Sequence, residues 1–328
     1  MSYKFVKPNI VISKCIEFDY CRFNAQIIRN EFVSKLKDFI NFITICPEFE
    51  IGLGIPRNPI RIVEKEGKRV LFQPATDKDF TKSMNNFSKK FLNKLENIDG
   101  FILKSQSPSC GIKDVKIYPD FKNPAPKLRD IGFFGQKVIE KYPYLAIEDE
   151  NRLRNTIIKE HFLKKIYTYS SFRNIKNSKK IKDLIDFHTK NKFLLMSYNQ
   201  KNLKIMGNLI ANHSKEVIEN IIDKYEKLLH ETFSKGSRCN SNINILQHAF
   251  GYFSKNIKKN EKDMLLNNIK KYRFKQSSLE VPIAVLKSWI IRFDEPYLKN
   301  QTYFEPYPPE LHEAEAVNIC PSKDYWKK

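Results

Sequence analysis

The chain is 328 residues long, with 58 Lys and Arg against 37 Asp and Glu, a formal net charge of +21 and a mean hydropathy of −0.51. No apolar run reaches the roughly 18 residues of a membrane helix, and Met1-Ser2-Tyr3-Lys4-Phe5-Val6-Lys7-Pro8 lacks an apolar signal core, so a cytoplasmic protein with no membrane span is expected. Six cysteines in such a chain point to metal or catalytic chemistry rather than to disulfides.

The first strand signal is Ile10-Val11-Ile12, a continuous apolar run of the kind found in parallel sheets covered on both faces. It leads through Ser13-Lys14 to Cys15. Phe32, Leu36, Phe39 and Ile43, spaced by four and three, predict a helix. A second run, Phe42-Ile43-Thr44-Ile45, ends at Cys46. Thr76 with Asp79 three residues on is a weak capping pair, and Phe80, Met84, Phe87, Phe91 and Leu95 form the next helical stripe. Phe101-Ile102-Leu103-Lys104 is the third run, and Ser105-Gln106-Ser107-Pro108-Ser109 carries it to Cys110. Alternating strands and helices predict βαβ units and a parallel sheet.

After about residue 150 the pattern turns helical. Leu184, Phe187, Leu194, Leu195 and Tyr198 share a face, and Leu203, Met206 and Ile210 continue it beyond a break at Asn199-Gln200. Further stripes are Val217, Ile221, Tyr225 and Leu228, then Ile243, Leu246 and Phe250, then Val285, Trp289 and Phe293 in a helix opened by Pro282. The expected architecture is an α/β domain with a parallel sheet over residues 1–150, a linker over 151–182 that includes the lysine-rich Asn174–Lys182, and an all-α domain over 183–328 with the extended, proline-rich tail Glu305–Pro309.

If the three apolar runs are neighbouring parallel strands, Cys15, Cys46 and Cys110 fall along one sheet edge, outside the carboxyl ends where open α/β sheets bind ligands. Three convergent thiolates suit a soft metal centre. Cys239 and Cys320 read as small core residues. His188, His213, His230 and His248 lie in separate segments without zinc-helix spacing and read as core or partner-facing groups. Gly52-Leu53-Gly54 lacks the third glycine and helix start of a nucleotide fingerprint. The charge is uneven, with +6 in residues 1–150 and +15 in the remainder. Such a surplus attracts RNA, and the abundance of Lys, Asn, Ile, Phe and Tyr equally fits the drift of an AT-rich genome.

Two long motifs, Cys46-Pro47-Glu48-Phe49-Glu50-Ile51-Gly52-Leu53-Gly54-Ile55-Pro56-Arg57 and Asp99-Gly100-Phe101-Ile102-Leu103-Lys104-Ser105-Gln106-Ser107-Pro108-Ser109-Cys110-Gly111, resemble the thiouracil desulfurase family, domain of unknown function 523. Ser13-Lys14-Cys15 fits the same pattern, and the resemblance spans roughly residues 5–150. Asp186-Phe187-His188-Thr189-Lys190-Asn191-Lys192, Asn242-Ile243-Asn244-Ile245-Leu246-Gln247-His248 and Tyr303-Phe304-Glu305-Pro306-Tyr307-Pro308 resemble the YbgA-type helical domain, domain of unknown function 1722, over roughly 180–312. The fused order resembles whole YbgA-like proteins.

The resemblance implies a 4Fe–4S cluster held by Cys15, Cys46 and Cys110, with one iron lacking a protein ligand and available to a thiocarbonyl sulfur. It implies an iron–sulfur-dependent desulfurase acting on a thiolated pyrimidine, either 2-thiouracil or a thiolated nucleoside, including thiolated tRNA. Glu48, two residues from Cys46, is placed as a general acid or base, and Ser107 and Ser109 are placed to hold or polarise the base. Ser105, Arg57 and Lys104 are assigned to substrate binding, the two cations through a phosphate or the negative charge of the cluster. One departure is the segment Cys15-Ile16-Glu17-Phe18-Asp19-Tyr20-Cys21, where stand-alone desulfurases tend to carry a glycine soon after the cysteine. The extra thiol Cys21 reads either as a spare ligand or as a packed residue. The rival to the enzyme is a non-catalytic iron–sulfur or RNA-binding accessory protein whose helical domain recruits a protein partner. A structural zinc site is a third reading, against which the wide cysteine spacing counts.

Overall fold

A computed structural model describes residues 5–121 and 125–312. Its amino-terminal half is built on two sheets. The first contains β1 (Asn9–Ser13), β2 (Asn41–Ile45), β6 (Gly100–Leu103) and β9 (Ala146–Asp149), all parallel, in the order β2-β1-β6-β9. The second contains β3 (Arg61–Lys65), β4 (Lys68–Gln73), β5 (Lys78–Asp79), β7 (Val115–Tyr118) and β8 (Leu128–Asp130), in the order β5-β4-β3-β7-β8. The helices here are α1 (Glu31–Leu36), α2 (Pro47–Glu50), α3 (Thr81–Lys94) and α4 (Phe133–Lys141). The chain runs from β1 to β2 on one side, then crosses back to place β6 on the other. The gap between the ends of β1 and β6 is therefore the point where strand order reverses, and this is where such sheets form their crevice.

Alternation along the strands divides the core. Ile10, Ile12 and Ile102 face α1 and Phe162, Leu163 and Ile166, whereas Val11, Phe101 and Leu103 face Met84, Leu92, Phe134 and Val138. Successive side chains of a strand point to opposite faces, so three-residue apolar runs were required to fill both layers. Gly100 has a reason of its own. A Cβ there would stand 2.7 Å from the Ala146 carbonyl on the neighbouring strand.

The helical part continues with α5 (Thr156–Ser178), α6 (Ile181–Tyr198), α7 (Gln200–Ala211), α8 (Ile218–Thr232), α9 (Cys239–Gly251), α10 (Lys259–Arg273), α11 (Glu280–Arg292) and α12 (Pro296–Lys299). The predicted stripes on α6, α7, α9 and α11 bury Leu184, Phe187, Leu203, Met206, Leu246 and Trp289 in one core. Asn199 ends α6 and caps α7 by accepting from the Asn202 N–H at 3.1 Å, at the expected break.

Several expectations are corrected. The stretch 151–182 is not an open linker. It is a short 3-10 turn followed by the 23-residue α5. Because α5 offers Phe162 and Ile166 to the sheet and Phe172 and Ile175 to the helical core, it belongs to both halves. Its Arg173 donates to the carbonyls of Lys7 and Asn97 and pairs with Asp99, the buried residue before β6. The first predicted helix ends early. Ile43 lies in β2, paired with Val11, because the apolar period there is two rather than four. Thr76 does not cap α3; its hydroxyl donates to Gln73, while Asp79 accepts from the Thr81 N–H at 2.7 Å. Val217 is exposed at the start of α8, and Cys239 is exposed at the start of α9 rather than in the core. The proline-rich tail is buried over Glu305–Pro308. Cys320 lies outside the described residues.

Candidate functional site

Cys15 follows β1, Cys46 follows β2, and Cys110 closes the loop after β6, so the parallel register carries the three positions to one edge. All three are buried, and so is Cys21. The four thiols line one cavity of about 300 Å³, together with Ser13, Glu48, Arg57, Lys104, Ser105 and Ser107. Every sequence-assigned site residue except Ser109 is in that lining, and Ser109 touches it through Glu48.

Glu48 lies in the first turn of α2, where Pro47 occupies the first helical position and gives up an N–H that no residue would have used. Its carboxylate is a hub. Oε2 accepts from Arg57 Nε at 2.9 Å and from Arg57 Nη2 at 2.7 Å. Oε1 accepts from the Ser109 hydroxyl at 2.8 Å and from the Ser107 hydroxyl at 3.3 Å. The Arg57 side chain is only 4% exposed and that of Glu48 14%. Arg57 Nη1 also donates to the carbonyls of Cys21 and Gly54, both at 3.0 Å. Gly54 has φ +73, a conformation that favours glycine. The Gly52-Leu53-Gly54 segment thus shapes the turn that returns Arg57 to the site.

The Ser107–Gly111 loop is held from two sides. The Ser107 hydroxyl accepts from the Ser109 N–H at 3.2 Å and the Cys110 N–H at 3.1 Å. The start of α4 supplies the outer clamp, with Phe133 N–H donating to Pro108 O, Gly135 N–H to Ser109 O and Gly132 N–H to Gly111 O. A Cβ at Gly135 would lie 2.5 Å from the Gly111 carbonyl and 2.9 Å from that of Cys110. Only glycine lets the helix approach so closely.

Lys104 and Ser105 form a second network that sequence reasoning missed. Its centre is Glu150, buried just after β9. Glu150 Oε1 accepts from Lys104 Nζ at 2.6 Å and from the Ser105 hydroxyl at 2.7 Å, and Oε2 accepts from the Ser105 N–H at 2.8 Å. The Asn151 amide donates to the Ser105 hydroxyl at 2.8 Å. The only advance signal for Glu150 was the acidic run Glu148-Asp149-Glu150. Both cations assigned to a phosphate or to the charge of the cluster are thus engaged with carboxylates, Arg57 with Glu48 and Lys104 with Glu150, while still lining the cavity. Ser13 was also missed: its hydroxyl accepts from the Lys104 N–H at 2.9 Å, joining the ends of β1 and β6.

The donor set fits a soft metal group, since thiolates select iron–sulfur clusters, copper(I) and zinc. The Cys21 thiol, hydrogen-bonded to that of Cys15 and further affected by burial, is pushed up to about 12. The Cys46 thiol is raised by its bond with Cys21 and by burial, and Cys110 by burial. Ligation needs thiolates and so releases these protons. Among the described residues, the groups gathered within 4.8 Å, as around a single ion, are Glu160, Glu280 and His312. No three of these thiols are, which argues against a mononuclear zinc site and suits a larger group. In that other triad Glu160 is already paired with Lys164 at 2.7 Å.

Residues 10–150 match the family described as 2-thiouracil desulfurase, and residues 192–308 match the family described as protein of unknown function, DUF1722. The chain is similar to the uncharacterized protein YbgA of Escherichia coli (strain K12), 25% identical over 126 residues that cover 38% of this chain and 75% of that protein. It is similar to the uncharacterized protein YbbK of Bacillus subtilis (strain 168), 33% identical over 109 residues that cover 31% of this chain and 72% of that protein. A solved [4Fe–4S]-dependent thiouracil desulfidase, TudS, is 21% identical, covers 45% of this chain and 94% of its own, and superposes with a TM-score of 0.37.

Proposed function

We propose a function for a chain that belongs to the 2-thiouracil desulfurase family over residues 10–150 and to the DUF1722 family over residues 192–308: cluster-dependent hydrolytic removal of sulfur from a 2-thiouracil-type base. The observation that carries this reading is the convergence of buried thiols with Glu48 and Ser107 in one cavity at the carboxyl edge of the parallel sheet, with Ser109 bonded to Glu48 from behind. Its volume, about 300 Å³, sits at the small end of ligand pockets. That space has to hold the cluster on its cysteines as well as the base.

Cys15, Cys46 and Cys110 would hold the 4Fe–4S cluster. When bound, the cluster supplies a soft Lewis-acidic iron with affinity for a thiocarbonyl sulfur. The net change is C=S and water to C=O and hydrogen sulfide, with no change of oxidation state and no external reductant. The protein's part is proton transfer and positioning. Glu48 borders the cavity, and its carboxylate, held by the Ser109 hydroxyl at 2.8 Å, can take a proton from an attacking water and return it to the departing sulfur. Arg57 fixes that carboxylate, and the Glu150 network fixes the floor formed by Lys104 and Ser105.

Anaerobic loading followed by iron and acid-labile sulfide analysis tests the reading. The protein should turn brown, Cys110→Ala should lose the colour and the iron, and Cys239→Ala should lose neither. Full retention of the cluster in Cys110→Ala would overturn the ligand assignment.

A further inference from the structure

Cys21 has no role in a three-cysteine site, and although it packs in the core around β1 it also faces the cavity. It is 1% exposed and lines the cavity alongside Cys15, Cys46 and Cys110. Its thiol is electrostatically coupled to those of Cys15 and Cys46. Its carbonyl accepts from the Cys46 thiol at 3.6 Å and from Arg57 at 3.0 Å. It therefore stands between two of the proposed ligands rather than behind them.

The loop that carries Cys21 is built to hold it there. The Ile28 N–H donates to Cys15 O at 2.8 Å, and Ile16 and Ile28 pair as a parallel bridge, closing the base of the loop. Glu17, in the segment where a glycine was expected, adopts φ 65. A non-glycine residue takes this conformation only when its surroundings fix it. Glu17 is fixed by its own carboxylate, which is 6% exposed: Oε1 accepts from the Asn30 N–H at 2.6 Å. Lys37 donates to the Glu17 carbonyl at 3.0 Å. Lys14 pairs with Asp19 at 2.7 Å on the outer side. A side chain locked by a surrounding network is what a ligand needs, because ordering it on binding then costs little.

We propose that Cys21 is a fourth protein ligand of the cluster, bound to the iron that Cys15, Cys46 and Cys110 leave without one. The inference rests on the cluster reading given above. Two ligands with five residues between them in one loop are close to the four-residue spacing that plant-type ferredoxins use around a two-iron cluster. In the substrate-free protein every iron then carries a cysteine, and a substrate's sulfur must compete with Cys21 for the last one. Cluster stability and substrate access are set against each other through this single thiol.

The test compares the full-length protein with Cys21→Ala and Cys21→Ser, each loaded anaerobically, by iron content and electron paramagnetic resonance before and after mild oxidation with ferricyanide. Circular dichroism identifies any variant that fails to fold, and Cys21→Ser keeps the size of the side chain should Cys21→Ala prove unstable. An iron without a cysteine ligand is the one lost on oxidation. The unaltered protein should keep its iron, whereas both variants should load, then lose about a quarter of their iron and show a three-iron signal. Equal iron loss by unaltered protein and variants would overturn the role of Cys21 while leaving the cluster reading intact. Failure of the unaltered protein to load any iron would overturn both.

Discussion

Replacing Arg57 by Met should destabilise the apoprotein by about 3 kcal/mol or more, chiefly because it strands a buried carboxylate without its counter-charge. Arg57 is nearly fully buried and gives Glu48 two of its four hydrogen bonds. Without it Glu48 keeps only the two serine hydroxyls, and the Cys21 and Gly54 carbonyls are each deprived of a donor. Removing one partner of a buried pair costs about 3–5 kcal/mol. The lower end applies because Glu48 borders a cavity that admits water. For a domain of this size about 3 kcal/mol corresponds to a fall in Tm of roughly 6–12 °C. The assay is anaerobic urea and thermal unfolding of the metal-free protein, with Glu48→Gln and the double variant completing the cycle. The double variant should recover at least about 2 kcal/mol of the loss, because the orphaned charge is gone. Arg57→Met within about 0.5 kcal/mol of the unaltered protein, or a double variant no more stable than Arg57→Met, would refute the reasoning.

Glu48→Gln should keep the cluster spectrum and lose roughly 10²–10⁴-fold in turnover; unchanged turnover would remove Glu48 from proton transfer. Gly135→Ala should cost about 1–3 kcal/mol by overpacking and lower the iron content, since its Cβ pushes on the Cys110 and Gly111 carbonyls. Normal iron content would show that α4 does not position the loop. Acid should weaken the helical part. Burial, with Lys192 nearby, lowers His188 to about 4 from the ordinary 6.5, so the folded state binds fewer protons than the unfolded chain between these values. Its contribution is complete above pH 6.5 and falls as pH drops toward 4, by about 2 kcal/mol at pH 5. Unfolding at pH 7.5 and pH 5 should show this loss together with those of His161 and His230, which burial also lowers, and His188→Gln should remove only its own share. Identical pH profiles for the two proteins would contradict the assignment.

The parallel sheet and the positions of Cys15, Cys46 and Cys110 were legible because the signals are local: an apolar run buried on both faces, followed by a cysteine. The helical stripes were legible for the same reason. The second sheet was not read, although its β3–β4 hairpin has a local signature: Glu66-Gly67 with φ 54 and 75, the paired positive angles of a primed turn. Strands of five and six residues carrying Arg61, Glu64 and Arg69 hid it. Helix α5 was misread because lysines at its end suggested a solvated linker. They are exposed or paired, Lys176 with Glu226 at 2.8 Å, while the apolar residues before them pack on two cores. Long-range partners left no local trace. Glu150 meets Lys104 across 46 residues, Arg57 turns to Glu48 rather than to a ligand, and Cys21 reaches the site through a loop whose conformation depends on Glu17 and Asn30.

The measurement that bears most directly on the account is anaerobic turnover of 2-thiouracil by the cluster-loaded, full-length protein, followed by loss of the thiocarbonyl absorbance and by released sulfide, with thiolated tRNA as a second substrate. The account predicts uracil and sulfide in equal amounts, with activity abolished in Cys46→Ala. Loaded protein that turns over no thiolated pyrimidine, or activity that survives in metal-free Cys46→Ala protein, would contradict it.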